Sequence, residues 1–127
     1  MGYTVLRPED QRFEPPSWRP EEPVRRLVEL PLHAKMVHSR AHLWKYPPGA
    51  EGRRHKPVVQ EEIFFVHDGT FTMLLGDESE RFELPPQSMV VVEPGTTLKL
   101  MNESPNEGLI FIYGAPADRA AEILEEA

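Results

Sequence analysis

Hydrophobic and polar positions alternate over short segments of this chain, a pattern that predicts β-strands joined by turns. Residues 58–67 and 70–75 are rich in β-branched and aromatic side chains, and Asp68-Gly69 between them is a strong hairpin signal. The same pattern predicts further strands at 24–30, 36–46, 80–84, 88–93, 97–101 and 109–113. Short strands at such close and even spacing indicate an all-β sandwich or barrel.

The N-terminal segment is rich in proline. Four prolines fall within residues 10–23, at Pro15, Pro16, Pro20 and Pro23. So many prolines exclude a helix and most strand pairing, and we expect residues 1–23 to form an extended arm. The aromatic residues Phe13 and Trp18 in this arm indicate that it packs either on its own barrel or on a neighbouring subunit.

The last residues of the chain repeat apolar side chains at helical spacing. After Pro116 these are Ala120, Ala121, Ile123 and Leu124, with glutamate between them. The spacing predicts one short surface helix over residues 117–127. Together with a barrel core at about 24–115, the arm and this helix are expected to form a single domain of 127 residues.

Composition narrows the class of protein. The chain has no cysteine, which removes disulfides, thiolate metal ligands and cysteine nucleophiles. No apolar run approaches the ~18 residues of a membrane helix, so a membrane is not an expected partner. The first residues lack the basic segment and apolar stretch of a secretory signal, and we therefore expect a cytoplasmic protein.

The balance of charge argues against a nucleic acid partner. The chain has 14 basic and 21 acidic residues, for a formal charge of -7, which would repel a phosphate backbone. No cluster of Lys and Arg interleaved with aromatic residues offers a compensating groove. The aromatic-bearing arm and the exposed edge of an open barrel instead predict a homodimer.

The most specific pattern in the chain lies between Gly49 and Gly69. Five residues separate Gly49 from His55, and Glu62 is followed by six residues and Gly69. This spacing resembles the first cupin signature, G-x5-H-x-H-x3,4-E-x6-G, with Pro57 where the second histidine belongs. The resemblance implies an all-β, jelly-roll-like cupin barrel.

A second stretch, from Gln87 to Asn102, resembles the companion cupin signature G-x5-P-x-G-x2-H-x3-N. It keeps Gly95 and Asn102, and Leu98 stands where the signature has its histidine. Two of the four family ligands are therefore absent. The resemblance carries over only His55 and Glu62, which become the candidate catalytic residues and the remaining candidate metal ligands.

Strand alternation adds candidate pocket residues. If 36–46 lies in the barrel wall, its alternate side chains point inward. The predicted pocket residues are His42, Trp44, Tyr46 and Phe64, together with Leu98 from the cupin resemblance and Tyr113, whose face on the last strand the sequence does not fix. His42, His55 and Glu62 would then offer a two-histidine, one-carboxylate set for a divalent metal such as Fe, Mn, Ni, Cu or Zn, although an ordinary strand histidine is the commoner explanation of His42.

Three functions fit these residues. Pro57 and Leu98 stand where the cupin signatures have histidine ligands. Their presence favours a metal-free barrel that binds a small polar or carbohydrate-like molecule as a sensor, carrier or regulator. A histidine and a carboxylate inside an apolar barrel also suit a metal-free isomerase, epimerase or lyase, because burial raises the pKa of the carboxyl group, lowers that of the histidine and so provides an acid and an uncharged base. We rank these two nearly level. A metal-dependent oxygenase or isomerase with an altered ligand set ranks third.

Overall fold

The computed structural model describes residues 2–125, which form β-strands, turns and two short 3₁₀ helices. The strands are β1 (Arg26–Glu29), β2 (Arg40–Tyr46), β3 (His55–Pro57), β4 (Glu61–Asp68), β5 (Phe71–Leu75), β6 (Glu80–Leu84), β7 (Met89–Val92), β8 (Leu98–Met101), β9 (Gly108–Ala115) and β10 (Ala121–Ile123). The 3₁₀ helices are Pro8–Asp10 and Leu30–Leu32. Within residues 2–125, no helix has the length and apolar character needed to cross a membrane.

The strands form two five-stranded antiparallel sheets. The first has the order β1-β2-β9-β4-β7 and the second has the order β10-β3-β8-β5-β6. Both sheets contribute to one apolar core, the first through Phe64 and Ile110 and the second through Phe71, Met73 and Leu98. Two sheets that bury their apolar faces against each other confirm the predicted all-β, jelly-roll-like barrel.

The prediction of a hairpin at Asp68-Gly69 is wrong. β4 lies in the first sheet and β5 in the second, so this turn carries the chain from one sheet to the other. Gly69 has a φ of +78°, and a Cβ there would lie 2.9 Å from the carbonyl oxygen of Glu107, so the position requires glycine. The hairpin instead joins β5 to β6, which pair with each other.

The strand predicted over 58–67 begins later in the structure, at Glu61. β3 ends at Pro57, which has no N–H to continue the ladder, and β4 begins only at Glu61. The chain bends between them and buries Gln60, whose Nε2 donates to the carbonyl oxygen of Pro116 at 3.0 Å. This bend gives the barrel interior a polar side chain that a continuous strand would not place there.

The prediction of a helix over 117–127 is wrong for the described part of that segment. Ala121–Ile123 forms the edge strand β10, which pairs antiparallel with β3. The backbone N–H of Val58 donates to the carbonyl oxygen of Ala120 at 3.0 Å, so the segment uses hydrogen-bonding groups on an otherwise open sheet edge. A helix of two or three turns has little stability of its own, and the sheet edge decides the conformation.

The N-terminal arm packs on its own barrel. Glu14 and Leu27 exchange two backbone hydrogen bonds of 3.0 and 2.8 Å, so the arm runs beside β1. The backbone N–H and the hydroxyl of Ser17 donate to the two carboxylate oxygens of Glu29 at 2.6 and 2.8 Å. These contacts fix the position of the following residue, Trp18.

A buried ion pair connects the end of the arm to the barrel wall. The Glu22 carboxylate accepts hydrogen bonds from Nη2 of Arg25 at 2.7 Å and from Nη1 of Arg19 at 2.9 Å. Arg25 also donates to the Tyr46 hydroxyl at 3.0 Å. Burial alone would raise the pKa of Glu22, but the hydrogen bonds and charge of Arg25 lower it to about 2.

We expect Glu22→Ala to lower the free energy of unfolding at pH 7 by about 3 kcal/mol, because it leaves the Arg25 guanidinium buried without its carboxylate. The folded-state pKa of about 2 lies below the unfolded value. The stabilisation is therefore complete above about pH 5 and is lost as the pH falls toward 2. Urea unfolding from pH 7 to about pH 3 should show the difference between the two proteins shrinking.

Glu21→Ala is the matched control for this substitution. The Glu21 side chain is 71% exposed and lies 4.0 Å from Arg19, and exposed pairs of this kind contribute about 0–1 kcal/mol. A loss for Glu22→Ala no larger than the loss for Glu21→Ala would show that the buried pair does not stabilise the fold.

Candidate functional site

A cavity of about 560 Å³ lies between the two sheets. Strands β2, β4 and β9 of the first sheet and β3, β8 and β10 of the second contribute to its wall, together with the arm and the segment before β10. Apolar residues such as Phe64, Leu98 and Ile112 alternate there with charged side chains. A concave site of this size suits a small molecule.

Strand β2 contributes a row of side chains to the cavity. It begins at Arg40, later than predicted, and Arg40, His42, Trp44 and Tyr46 all line the cavity, because side chains two apart on a strand share a face. The rings of Trp44 and Tyr46 pack edge-on with their centroids 5.9 Å apart. The sequence prediction included the last three residues of this row and missed Arg40.

Glu62 on β4 presents a carboxyl group to the same cavity. Phe64, two residues further on, faces the same way and is almost fully buried. Within residues 2–125, Oε1 of Glu62 has no hydrogen-bond partner. Burial raises the pKa of Glu62 to about 7, and the charge of Arg40 opposes this only in part. The group therefore exchanges protons near neutral pH.

His55 lines the cavity from the second sheet, where Leu98 is its partner on the neighbouring strand. Its Nδ1 lies 2.8 Å from the carbonyl oxygen of Arg53, and because a carbonyl only accepts, Nδ1 carries the proton and Nε2 holds a lone pair. Burial lowers the pKa of His55. The hydrogen bond to Arg53 raises this pKa in part, and the positive charge of Arg25 lowers it further. At neutral pH the ring is an uncharged base.

His42 is buried in the cavity wall beside Trp18, with the ring centroids 5.3 Å apart. Burial and the charges of Arg40 and Arg119 lower the pKa of His42 to about 3, so the ring is uncharged at neutral pH. Among the described residues, neither of its nitrogens has a hydrogen-bond partner. A buried polar group without a partner is costly, and a bound ligand would supply one.

The predicted pocket residue Tyr113 lies outside the cavity. On β9 the residues Ile110, Ile112 and Gly114 face inward, whereas Tyr113 faces outward and is 37% exposed. The predicted strand 109–113 is apolar throughout, so it offers no alternation from which to assign its two faces. The cavity does contain the other predicted pocket residues, His42, Trp44, Tyr46, Phe64 and Leu98.

Several cavity residues were not predicted from the sequence. Trp18 and Arg25 reach the cavity from the arm, and Arg119 reaches it from the segment before β10. Gln60 fills the space over Gly114, where a Cβ would overlap the glutamine side chain. These placements depend on contacts between distant segments, which no local pattern encodes.

The cavity residues do not fit a metal ion. Within residues 2–125, no three His, Cys, Asp or Glu side chains form a group that could hold one. His42, His55 and Glu62 all line the cavity, but they do not form the predicted two-histidine, one-carboxylate set. Pro57 and Leu98, at the other ligand positions of the signatures, offer no donor atom.

Two facing antiparallel sheets around an interior cavity define the double-stranded β-helix class. Residues 42–112, more than half of the chain, match the cupin domain family, and the chain belongs to this family. The match confirms the resemblance carried by the two signatures. No curated protein matches the chain.

Solved structures share the fold at low sequence identity. A sugar phosphate isomerase of the cupin superfamily from Silicibacter pomeroyi gives a TM-score of 0.80 at 16% identity, covering 97% of this chain and 83% of its own. The polyketide cyclase RemF from Streptomyces resistomycificus gives 0.78 at 14% identity, over 98% and 87%. KdgF from a Halomonas species gives 0.74 at 20% identity, over 91% and 96%. At these identities the likeness shows the fold alone.

Glu62→Gln should raise the free energy of unfolding at about pH 8 by about 1–3 kcal/mol, because it removes a buried carboxylate. The folded-state pKa of about 7 lies above the unfolded value. The wild-type protein therefore loses stability as the pH rises from about 5 through 7, and the two proteins should unfold with similar free energies at about pH 5. Urea unfolding at both pH values measures the difference.

Glu61→Gln is the control variant for this prediction. Glu61 is the exposed neighbour on the same strand, so its substitution should change stability by less than about 0.5 kcal/mol at either pH. Loss of the pH dependence in Glu61→Gln, and its retention in Glu62→Gln, would mean that the wrong carboxyl group has been assigned to the interior.

Proposed function

We propose that this cupin binds a small polar, carbohydrate-like molecule in the barrel cavity and transfers protons on it, as a metal-free isomerase, epimerase or lyase. One observation carries the proposal. Glu62, with an unpartnered oxygen among the described residues, and His55, whose Nε2 holds a lone pair, line the same cavity from opposite sheets. A molecule bound between them meets a proton donor on one side and an acceptor on the other.

The protonation states of the two groups suit an isomerisation. Glu62, with a pKa of about 7, is protonated in about half of the molecules at neutral pH, and His55 is uncharged. His55 removes a proton from a carbon beside a carbonyl group while Glu62 donates one to the carbonyl oxygen, which gives an enediol. The protonated His55 then gives its proton to the former carbonyl carbon. The Glu62 carboxylate takes a proton from the hydroxyl on the carbon that was deprotonated first, and the carbonyl group has moved by one position. Atoms and electrons balance without an oxidant.

The lining of the cavity suits a ligand with polar and apolar faces. Trp44 and Tyr46 present aromatic rings, and Arg40 and Gln60 present hydrogen-bond donors. The similar fold of a sugar phosphate isomerase supports the carbohydrate-like class, although a shared fold does not by itself fix the function.

Binding without turnover is the second candidate function. Pro57 and Leu98 replace two ligands of the cupin signatures, which favours a barrel that has kept its cavity as a sensor, carrier or regulator. In that case Glu62 and His55 only hold the ligand through hydrogen bonds. Proton exchange at a carbon atom of the ligand separates the two candidates.

In heavy water, we expect the protein to incorporate deuterium at a carbon of at least one compound in a panel of pentoses, hexoses, their phosphates and uronates. Glu62→Gln should lower the exchange rate by about 100-fold or more, the usual contribution of an acid–base group, and should change the dissociation constant by less than about threefold. His55→Ala should lower the rate in the same way. Mass spectrometry follows the exchange, and calorimetry follows the binding.

Two controls accompany the exchange experiment. Glu61→Gln should exchange at the wild-type rate. Dialysis against EDTA should leave the rate unchanged, because residues 2–125 supply no three-ligand group for a metal. Loss of exchange on dialysis, with recovery on adding Fe, Mn, Ni, Cu or Zn, would overturn the metal-free mechanism, and binding with no exchange at all would favour the second candidate.

We also propose that the protein is a homodimer. Exposed apolar side chains lie on the outer face of the first sheet, among them Ile63, Met89, Val91 and Tyr113. Strand pairing places Ile63 directly opposite both Val91 and Tyr113, so these side chains are contiguous. Contiguous exposed apolar surface marks sites of association, and a second copy of the same face can cover it symmetrically.

Val91→Glu should convert the dimer to a monomer, because the new carboxylate would be buried in the interface without a partner. Val37→Glu is the control, since Val37 is similarly exposed but lies in the segment before β2. Light scattering measures the mass in solution. A wild-type mass equal to one chain would contradict the proposed dimer. A dimer that persists in Val91→Glu would contradict the proposed interface.

A further inference from the structure

Two arginines and one tryptophan, all at least partly exposed, line the cavity where it opens to solvent. Arg40, Arg119 and Trp18 form this group, which we name the arginine mouth. The guanidinium carbon of Arg40 lies 5.3 Å from the centroid of the Trp18 ring, and that of Arg119 lies 5.2 Å from it. The indole attracts both cations through its ring electrons, so the arm, β2 and the segment before β10 meet at one point.

Neither guanidinium group of the arginine mouth is held by a carboxylate in direct contact. Within residues 2–125, neither forms an ion pair or donates a hydrogen bond, whereas Arg25 is paired with Glu22 at 2.7 Å. Burial and the nearby charge of Arg119 lower the pKa of Arg40. The carboxylates of Glu29 and Glu62 oppose this lowering at longer range. A chain with a formal charge of -7 thus places two arginines at the opening of its cavity without a carboxylate in direct contact.

His42 adds a neutral hydrogen-bond donor next to these cations. It lies two residues from Arg40 on the inner face of β2 and beside Trp18. Both ring nitrogens are buried without a partner among the described residues, and an uncharged imidazole has one N–H to donate. An anionic oxygen between Arg40 and His42 would satisfy the positive charge and the unused donor together.

The sheet register places the arginine mouth within reach of the proton-transfer residues. Arg40 on β2 and Glu62 on β4 both pair with Gly114 on the strand between them. Their Cα atoms are therefore two strand spacings, about 10 Å, apart on the same face of the sheet. A molecule of about the size of a sugar can reach from one to the other.

We propose that the arginine mouth binds an anionic group of the ligand, a carboxylate or a phosphate, so that the substrate is a sugar acid or a sugar phosphate. The inference rests on the function proposed above for the same cavity. Arg40 and Arg119 hold the anion through charge-assisted hydrogen bonds, and His42 donates a further one. The uncharged end of the ligand extends toward Glu62 and His55. The two arginines bind the ligand and take no part in proton transfer.

Three matched polyols test for the anion. Sorbitol is neutral, gluconate carries a carboxylate and sorbitol 6-phosphate carries a phosphate. We expect at least one of the two anions to bind about tenfold or more tightly than sorbitol to the full chain, as measured by calorimetry at matched ionic strength. The preferred anion then identifies the group that the arginines hold.

Arg40→Gln and Arg119→Gln should each weaken binding of the preferred anion by about tenfold and weaken sorbitol binding by much less, because the charge acts on the anion alone. Arg119 is exposed, so its variant should fold even if Arg40→Gln does not. Arg12→Gln is the control, because Arg12 is an exposed arm residue that donates to backbone carbonyl groups. Three outcomes would each overturn the proposal: equal affinity for the three polyols, no binding of either anion or of inorganic phosphate up to ~50 mM, or anion binding that survives both substitutions.

Glu62→Gln separates this proposal from the proposed function. It should keep or tighten anion binding, because it removes a negative charge near Arg40, and it should lose deuterium exchange. If the wild-type protein binds an anion but exchanges no proton on any compound, the result supports the arginine mouth and contradicts the proposed acid–base function. If the protein exchanges protons on a neutral sugar and shows no preference for an anion, the result supports the acid–base function and contradicts anion binding by the arginine mouth.

Discussion

The hydrogen bonds of Arg25 to Glu22 and Tyr46 hold the arm against the barrel, and the shape of the cavity depends on them. The Arg25 guanidinium also lies 4.8 Å from the Trp44 ring centroid, so one buried cation joins the arm to two aromatic residues of the wall. The arm also carries Trp18, whose ring contacts the guanidinium groups of Arg40 and Arg119 at the opening of the cavity. Buried ion pairs add little net stability relative to apolar packing, so the contribution of this one lies mainly in where it places the arm.

Strand alternation was sufficient to predict the inner face wherever polar and apolar residues alternate. On β2 the prediction placed His42, Trp44 and Tyr46 inward. Arg40 lies two residues before His42, so the same alternation also places it inward. On β9 both faces are apolar, because the outward-facing Tyr113 belongs to the exposed apolar surface on the outside of the first sheet. Alternation then disappears, and the placement of Tyr113 failed for that physical reason.

Elements whose conformation depends on distant partners were not predictable in the same way. Asp68-Gly69 has the composition of a hairpin turn, but β9 and β7 flank β4 on both sides, so β5 has no place beside it and crosses to the other sheet. Ala121–Ile123 has helical spacing, yet the edge of β3 offers it backbone hydrogen bonds. Trp18 and Arg119 come from opposite ends of the chain, and only the folded barrel brings them together.

If the arginine mouth binds an anion as proposed, anion binding and protonation of Glu62 are coupled. The positive charge of Arg40 opposes the rise in the pKa of Glu62, so an anion that neutralises Arg40 removes this opposition and raises the pKa further. Binding therefore favours the protonated carboxyl group, which is the form that donates a proton to a carbonyl oxygen. By linkage, protonation of Glu62 strengthens anion binding by the same free energy. Under the two proposals, one interaction at the opening would both hold the ligand and favour the acid form of Glu62 that acts on it.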